Sequence, residues 1–372
     1  MNRQYYIITG SQKFFDDTIT QILNRKETLS DPDDFLELIK QSELCRTSGI
    51  ANKYESAYIV VRNNHYHGVT NEAHYRIGVI IEELTMSNAV IFIHNPPINL
   101  VEHIKMKAES KEATLEFRTE QYSMEKDATL FSEKMKGISR SILGQNIAIE
   151  ETTKTLWYLT KVERNKPYVV MLYGNSSLGK TELVKEIANA FFYGKYLEKY
   201  LSMFQNNVYA DYFFGEKPTN KTLCYELKER ESNLVFLDEI DKCPDYFYSA
   251  FYTLFDNTSF KDASYDADIS GLVIFLTANF ENKDEIMKRM GLPIYYRIDK
   301  FIKFEEFDTD VIVFLTKKEI AERKREFIEF CTEDEIYSAV SPKIFIKKEN
   351  GRTIKFKVQE TIEEILYRQI QS

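Results

Sequence analysis

Apolar positions are patterned in two ways along this chain. Near its middle, the unbroken runs at 168–173, 234–237 and 272–276 have the length and bulk of strands buried on both faces. Residues 182–192 instead place Leu183, Val184, Ile187 and Phe191 on one face, the spacing of a helix. The first 140 residues mix shorter signals. Residues 5–9 predict a strand ending at Gly10-Ser11, and Ile19, Ile22 and Leu23 predict the helix after it. Asp31-Pro32 predicts a second helix start, with Asp31 as cap and Pro32 in the first turn. Residues 57–61 and 89–93 predict strands around a helix near 74–86, and the polar stretch 119–136 predicts a connecting helix. This alternation implies a separate small α/β domain with a partly parallel sheet.

Composition bounds the answer without choosing it. A chain of 372 residues can bury two or three cores, and 43% hydrophobic residues exclude a disordered one. The net charge of −9 gives no support to non-specific nucleic-acid binding. Cys45, Cys224, Cys243 and Cys331 form no C-x-x-C pair and read as reduced thiols. The first residues lack a signal-peptide core, and no run reaches membrane-spanning length, so a cytoplasmic protein is expected.

Chemistry enters where the run 168–173 meets Gly174, Asn175, Ser176, Ser177, Leu178, Gly179, Lys180 and Thr181. Glycines at the first and sixth loop positions permit a tight path that aims successive N–H groups at a phosphate chain. The following helix adds its positive end. This is a P-loop in strand–turn–helix context: Lys180 reaches the β- and γ-phosphates of ATP, and the Thr181 hydroxyl takes one Mg²⁺ position. The run 234–237 ends in Asp238-Glu239, at the carboxyl end of a strand that lies beside the phosphate loop in an open α/β sheet. Asp238 is the expected Mg²⁺ ligand, and Glu239 the group that polarises the attacking water. Asn279 tips another buried strand, where a helix cap is the ordinary role. His65, His67, His74, His94 and His103 all fall in the first part; with no carboxylate or cysteine cluster beside them, ordinary surface histidines are expected rather than a metal site.

Residues 142–149, Ile-Leu-Gly-Gln-Asn-Ile-Ala-Ile, open an amphipathic helix and resemble the V-x-G-Q-x-x-A-I segment of AAA+ ATPases of the Clp unfoldase type. The resemblance implies that Ile142 and Leu143 pack against adenine. The strand before Asn279 resembles the family's sensor-1 strand, which gives Asn279 the water-orienting role. Arg297-Ile298-Asp299, within 293–304, resembles the N-R-I-D-x-x-x-x-F segment, with Tyr296 where Asn is usual. Arg297 is thereby the finger that reaches the γ-phosphate bound by a neighbouring subunit. Gly351-Arg352-Thr353 resembles the start of the sensor-2 helix G-A-R-P, which makes Arg352 a phosphate sensor. Tyr212, Phe213, Phe214 and Gly215, within 211–216, resemble the aromatic–hydrophobic–glycine loop that grips polypeptide in a ring's channel; an aromatic core is the alternative.

The expected fold is therefore α/β. A P-loop AAA+ parallel sheet over 142–304 carries a small C-terminal lid at 305–372, preceded by an unfamiliar α/β domain at 1–118 and a helical linker at 119–141. The resemblance implies an ATPase needing Mg²⁺, a ring of copies of itself, most often a hexamer, and a protein substrate or partner chosen by the first domain. A nucleotide-driven switch or scaffold, for example in host defence with the first domain as sensor or effector, is the alternative. A nucleic-acid-remodelling ATPase comes third.

Overall fold

The computed structural model describes residues 2–25, 31–47, 55–204, 210–215, 219–344 and 349–370. The side chain of Cys45, and Glu216 at the end of the aromatic stretch, lie outside the described part; Cys224, Cys243 and Cys331 are free thiols.

Two parallel five-stranded sheets organise the chain. The first comprises β1 (Arg3–Thr9), β2 (Asp33–Asp34), β3 (Ser56–Val61), β4 (Thr85–His94) and β5 (Ala113–Thr119), in the order β2-β3-β4-β1-β5. All four pairings are parallel, rather than partly so. Helix Gln12–Arg25 covers one face through Phe15, Ile19 and Ile22; helix Ile98–Glu109 covers the other through Leu100 and Ile104.

Several local expectations are corrected here. Residues 33 and 34 pair with Ile59 and Val60, so the second helix starts at Phe35, and Asp34 rather than Asp31 accepts from Leu36 and Glu37 N–H. The helix expected near 74–86 is two short helices, Asn71–Tyr75 and Ile77–Glu83, and Thr85 already belongs to β4. The linker helix runs Ala128–Ser141, capped by Asp127. His65, His74 and His94 are buried, not superficial. Burial pushes the His74 and His94 imidazoles down to about 4, so both are neutral structural groups near pH 7. Among the described residues no three His, Cys, Asp or Glu side chains form a metal cluster, and no helix is long and apolar enough to cross a membrane.

The second sheet comprises β6 (Tyr168–Tyr173), β7 (Leu197–Tyr200), β8 (Leu234–Asp238), β11 (Val273–Ala278) and β12 (Lys300–Lys303), in the order β12-β6-β11-β8-β7. Between β8 and β11 the antiparallel pair β9 (Ser259–Lys261) and β10 (Asp266–Asp268) forms a hairpin. Every residue of β8 and β11 is buried, which explains why the apolar runs there are unbroken. Beyond β12, helices Thr309–Glu322, Glu333–Ile344 and Gly351–Ile370 enclose their own core of Ile320, Ile336, Val340, Ile354 and Val358.

The carboxyl edge of the first sheet faces the second module. Ile98 N–H donates to Ser264 O at 2.8 Å, Thr219 Oγ1 donates to Asn71 Oδ1 at 3.3 Å, and Tyr122 Oη donates to Arg230 O. One apolar cluster runs from Tyr5, Ile7 and Tyr66 to Tyr225 and Tyr265, so the modules share a core.

Candidate functional site

Register assembles the site. Tyr173 pairs with Ala278, and Leu276 with Leu237, so the loops that follow β6, β8 and β11 emerge side by side at the carboxyl edge, where open α/β sheets hold ligands. Gly174 turns the chain at φ 135°, and a Cβ there would lie 2.4 Å from Phe304 O. Only glycine passes this point. Ser177 and Gly179 are left-handed at φ 61° and 100°, which curls the loop over the start of helix Lys180–Phe191.

Lys180 is 6% exposed. Its ammonium donates to Gly174 O at 2.7 Å, Asn175 O at 2.6 Å and Asn279 Oδ1 at 3.1 Å. Burial pushes its pKa down to about 8, against the pull of Asp241 and Asp238. A buried cation whose three partners are neutral oxygens fits an anionic substrate. The Thr181 hydroxyl lies 3.2 and 3.4 Å from the two Asp238 carboxylate oxygens. This hydroxyl–carboxylate pair beside a phosphate loop is the hard oxygen set that Mg²⁺ takes.

Glu239 stands at φ 58°, a conformation that costs a non-glycine residue on the order of 1 kcal/mol or more. Its N–H donates to Asp238 Oδ1 at 3.1 Å and to Thr277 Oγ1 at 3.0 Å. The turn throws the Glu239 side chain out of the strand alternation while Asp238 stays buried. Ile142 is buried next to the P-loop, 3.8 Å from where a Gly179 Cβ would stand, and Leu143 is half-buried. Gly351 N–H donates to Ser177 O at 3.1 Å. The start of helix Gly351–Ile370, and exposed Arg352 within it, therefore adjoin the loop.

Arg297 is not brought into this cluster. It donates to Pro293 O at 2.7 Å, lies 3.6 Å from Asp256 Oδ2 and stacks over Tyr252 at 5.1 Å. Phe213 corrects the expectation of a gripping loop: it is 1% exposed, with its ring centroid 5.3 Å from that of Phe204 and 5.1 Å from that of Phe247. Tyr212 Oη donates to Glu226, and Gly215 is buried; Phe214, at 44%, is the exposed member. Residues 210–214 form a short helix whose inward face the core takes.

Three contributors do not stand out in the sequence. Thr277 Oγ1 donates to Asp238 Oδ1 while accepting from Glu239 N–H. Glu306 accepts from Asn175 Nδ2 at 3.0 Å. Asp241 keeps a buried carboxylate oxygen with no hydrogen-bond partner, and its charge acts on Lys180. The signal for Thr277 was its place two residues before Asn279, but only strand pairing sets it against Asp238. Replacing Thr277 by Val should raise the Mg²⁺ concentration needed for half-maximal nucleotide binding about tenfold, the value of a hydrogen bond to a charged group. Titration with a fluorescent nucleotide measures this, and Thr277→Ser should recover most of the loss.

Comparison with curated proteins finds no match to the chain. The model of the family AAA, ATPase family associated with various cellular activities, matches residues 170–305, from within β6 to just past β12, which supports an AAA+ module in this part of the chain.

Proposed function

We propose that the chain is an ATP-hydrolysing AAA+ machine of Clp type that works as a ring and remodels a protein partner, with residues 305–372 as the lid over the nucleotide. The observation that carries the reading is the convergence of Lys180, Thr181, Asp238, Glu239 and Asn279 at one sheet edge, with Arg297 directed elsewhere. Lys180 exchanges its carbonyl partners for phosphate oxygens when ATP binds. Thr181 and Asp238 would hold Mg²⁺, which supplies charge neutralisation between the β- and γ-phosphates. Glu239 accepts a proton from the attacking water, and Asn279 orients that water. Arg297 meets the γ-phosphate only in a neighbouring copy, which makes the site incomplete in one chain.

Light scattering with a slowly hydrolysed ATP analogue and Mg²⁺ tests the assembly. A shift from monomer mass to a ring-sized particle supports the reading, and a nucleotide-bound monomer removes the shared site.

A second reading, a nucleotide-driven switch that threads nothing, is favoured by the burial of Phe213. Phe213→Ala should lower stability by about 3–5 kcal/mol, as core truncations of Phe do. Phe214→Ala should leave stability within about 0.5 kcal/mol. If the ring threads polypeptide on Phe214, that variant keeps its ATPase and loses remodelling; if it is a switch, both activities persist. Denaturant melts and ATPase assays with a candidate substrate separate these outcomes.

A further inference from the structure

The first module has a cleft of its own, away from the P-loop. It opens outside the carboxyl ends of β1 and β5, at Thr9 and Thr119, and its far wall is the β9–β10 hairpin of the AAA+ module. Its volume is about 740 Å³, within the range of small-molecule sites. Ligands of parallel sheets collect at this edge, beside a point where successive connections leave in opposite directions. Here helices Gln12–Arg25 and Ile98–Glu109, which follow β1 and β4, lie on opposite faces. The gap between those two strands is closed: Asn95, fully buried, donates to Gly10 O at 2.8 Å and accepts from Gly10 N–H at 3.0 Å. The opening lies on the other side of β1.

Two cations line the cleft with donors to spare. Lys228 is 8% exposed; its Nζ donates to Asp266 O at 3.0 Å, and among the described residues no carboxylate forms an ion pair with it. Burial pushes its pKa down, against the pull of the nearby Asp266 and Asp262 charges. Arg164 pairs with Asp299 at 3.0 Å, yet its Nε–H is buried without an acceptor. The unmet Arg164 donor, beside a buried ammonium held by a single carbonyl, suits an anion. The remaining wall carries hydroxyls such as Ser259 and three carboxylates, Glu163, Asp266 (paired with Lys261) and Asp268, groups suited to sugar hydroxyls.

We propose that this cleft binds a small phosphorylated sugar, free or as part of a nucleotide, with Lys228 and Arg164 on the phosphate and Asp268 on a sugar hydroxyl. The proposal stands apart from the ATPase reading, since it uses no residue of the P-loop.

Isothermal titration of the full chain, its P-loop saturated with Mg·ADP, with ribose 5-phosphate tests it, with AMP, ribose and inorganic phosphate as parallel probes. The expected result is one saturable site per chain, with ribose and phosphate alone at least about tenfold weaker. Equal affinities for AMP and ribose 5-phosphate identify a sugar phosphate, and tighter AMP binding identifies a nucleotide. Lys228→Met should weaken binding about tenfold or more. Should that variant not fold, Asp268→Asn provides the same test at the exposed wall, with an expected loss of severalfold. No saturable heat up to about 10 mM of either phosphorylated probe, or affinity untouched by whichever of these variants folds, overturns the proposal.

Discussion

Glu239→Gln is expected to lower the ATPase turnover number by about 10³-fold, the value of a positioned general base, while ATP affinity changes by less than about threefold. The asymmetry follows from how the turn is built. The backbone of residue 239 is held by Asp238 Oδ1 and Thr277 Oγ1, neither of which depends on the Glu239 side chain. Gln preserves shape and removes the proton acceptor. Lys180, Thr181 and Asp238 keep their contacts, so the nucleotide is retained uncleaved. Lys180→Ala should do the opposite and lose binding first. Single-turnover assays beside equilibrium binding of a fluorescent ATP analogue measure both quantities. If Glu239→Gln lost affinity and turnover in equal proportion, the residue would be a binding group and the acid–base assignment would fail.

What could be read from the chain alone depended on how local the physics was. β8 and β11 were legible because a strand covered on both faces leaves no polar position to interrupt the pattern. Gly174 and Gly179 were legible because the loop's path demands φ values that few residues accept. The second helix was misplaced because its start depends on Asp33 and Asp34 pairing with a strand formed later in the chain, a tertiary event that overrides the Asp31-Pro32 signal. Phe213 was ambiguous because an aromatic run looks the same in a core and on a gripping loop; its ring contacts with Phe204 and Phe247 decide. The cleft beside Lys228 could not be foreseen at all, since its walls come from both modules.

Arg297→Ala is expected to reduce ATPase by about 10³-fold or more, the usual worth of an arginine finger, without weakening ATP binding to its own chain. Within one chain Arg297 is occupied by Pro293 O, Asp256 and Tyr252, and none of these belongs to the phosphate site. In the proposed ring, its effect on catalysis is exerted on another copy. This makes complementation the decisive measurement. An Arg297→Ala chain has an intact P-loop, and a Lys180→Ala chain has an intact Arg297. Each alone should be inactive, but in the proposed ring a mixture lets the P-loop of the first face the arginine of the second. Mixing should restore ATPase to a sizeable fraction of the wild-type rate, rising and then falling as the ratio of the two chains is varied. If Arg297 served its own active site, or only held helix Tyr248–Asp256 in place, no ratio would recover activity. Recovery in the mixture thus separates a residue that acts across a boundary from one that merely stabilises its own fold, because a folding defect cannot be repaired by a neighbour whose P-loop is dead.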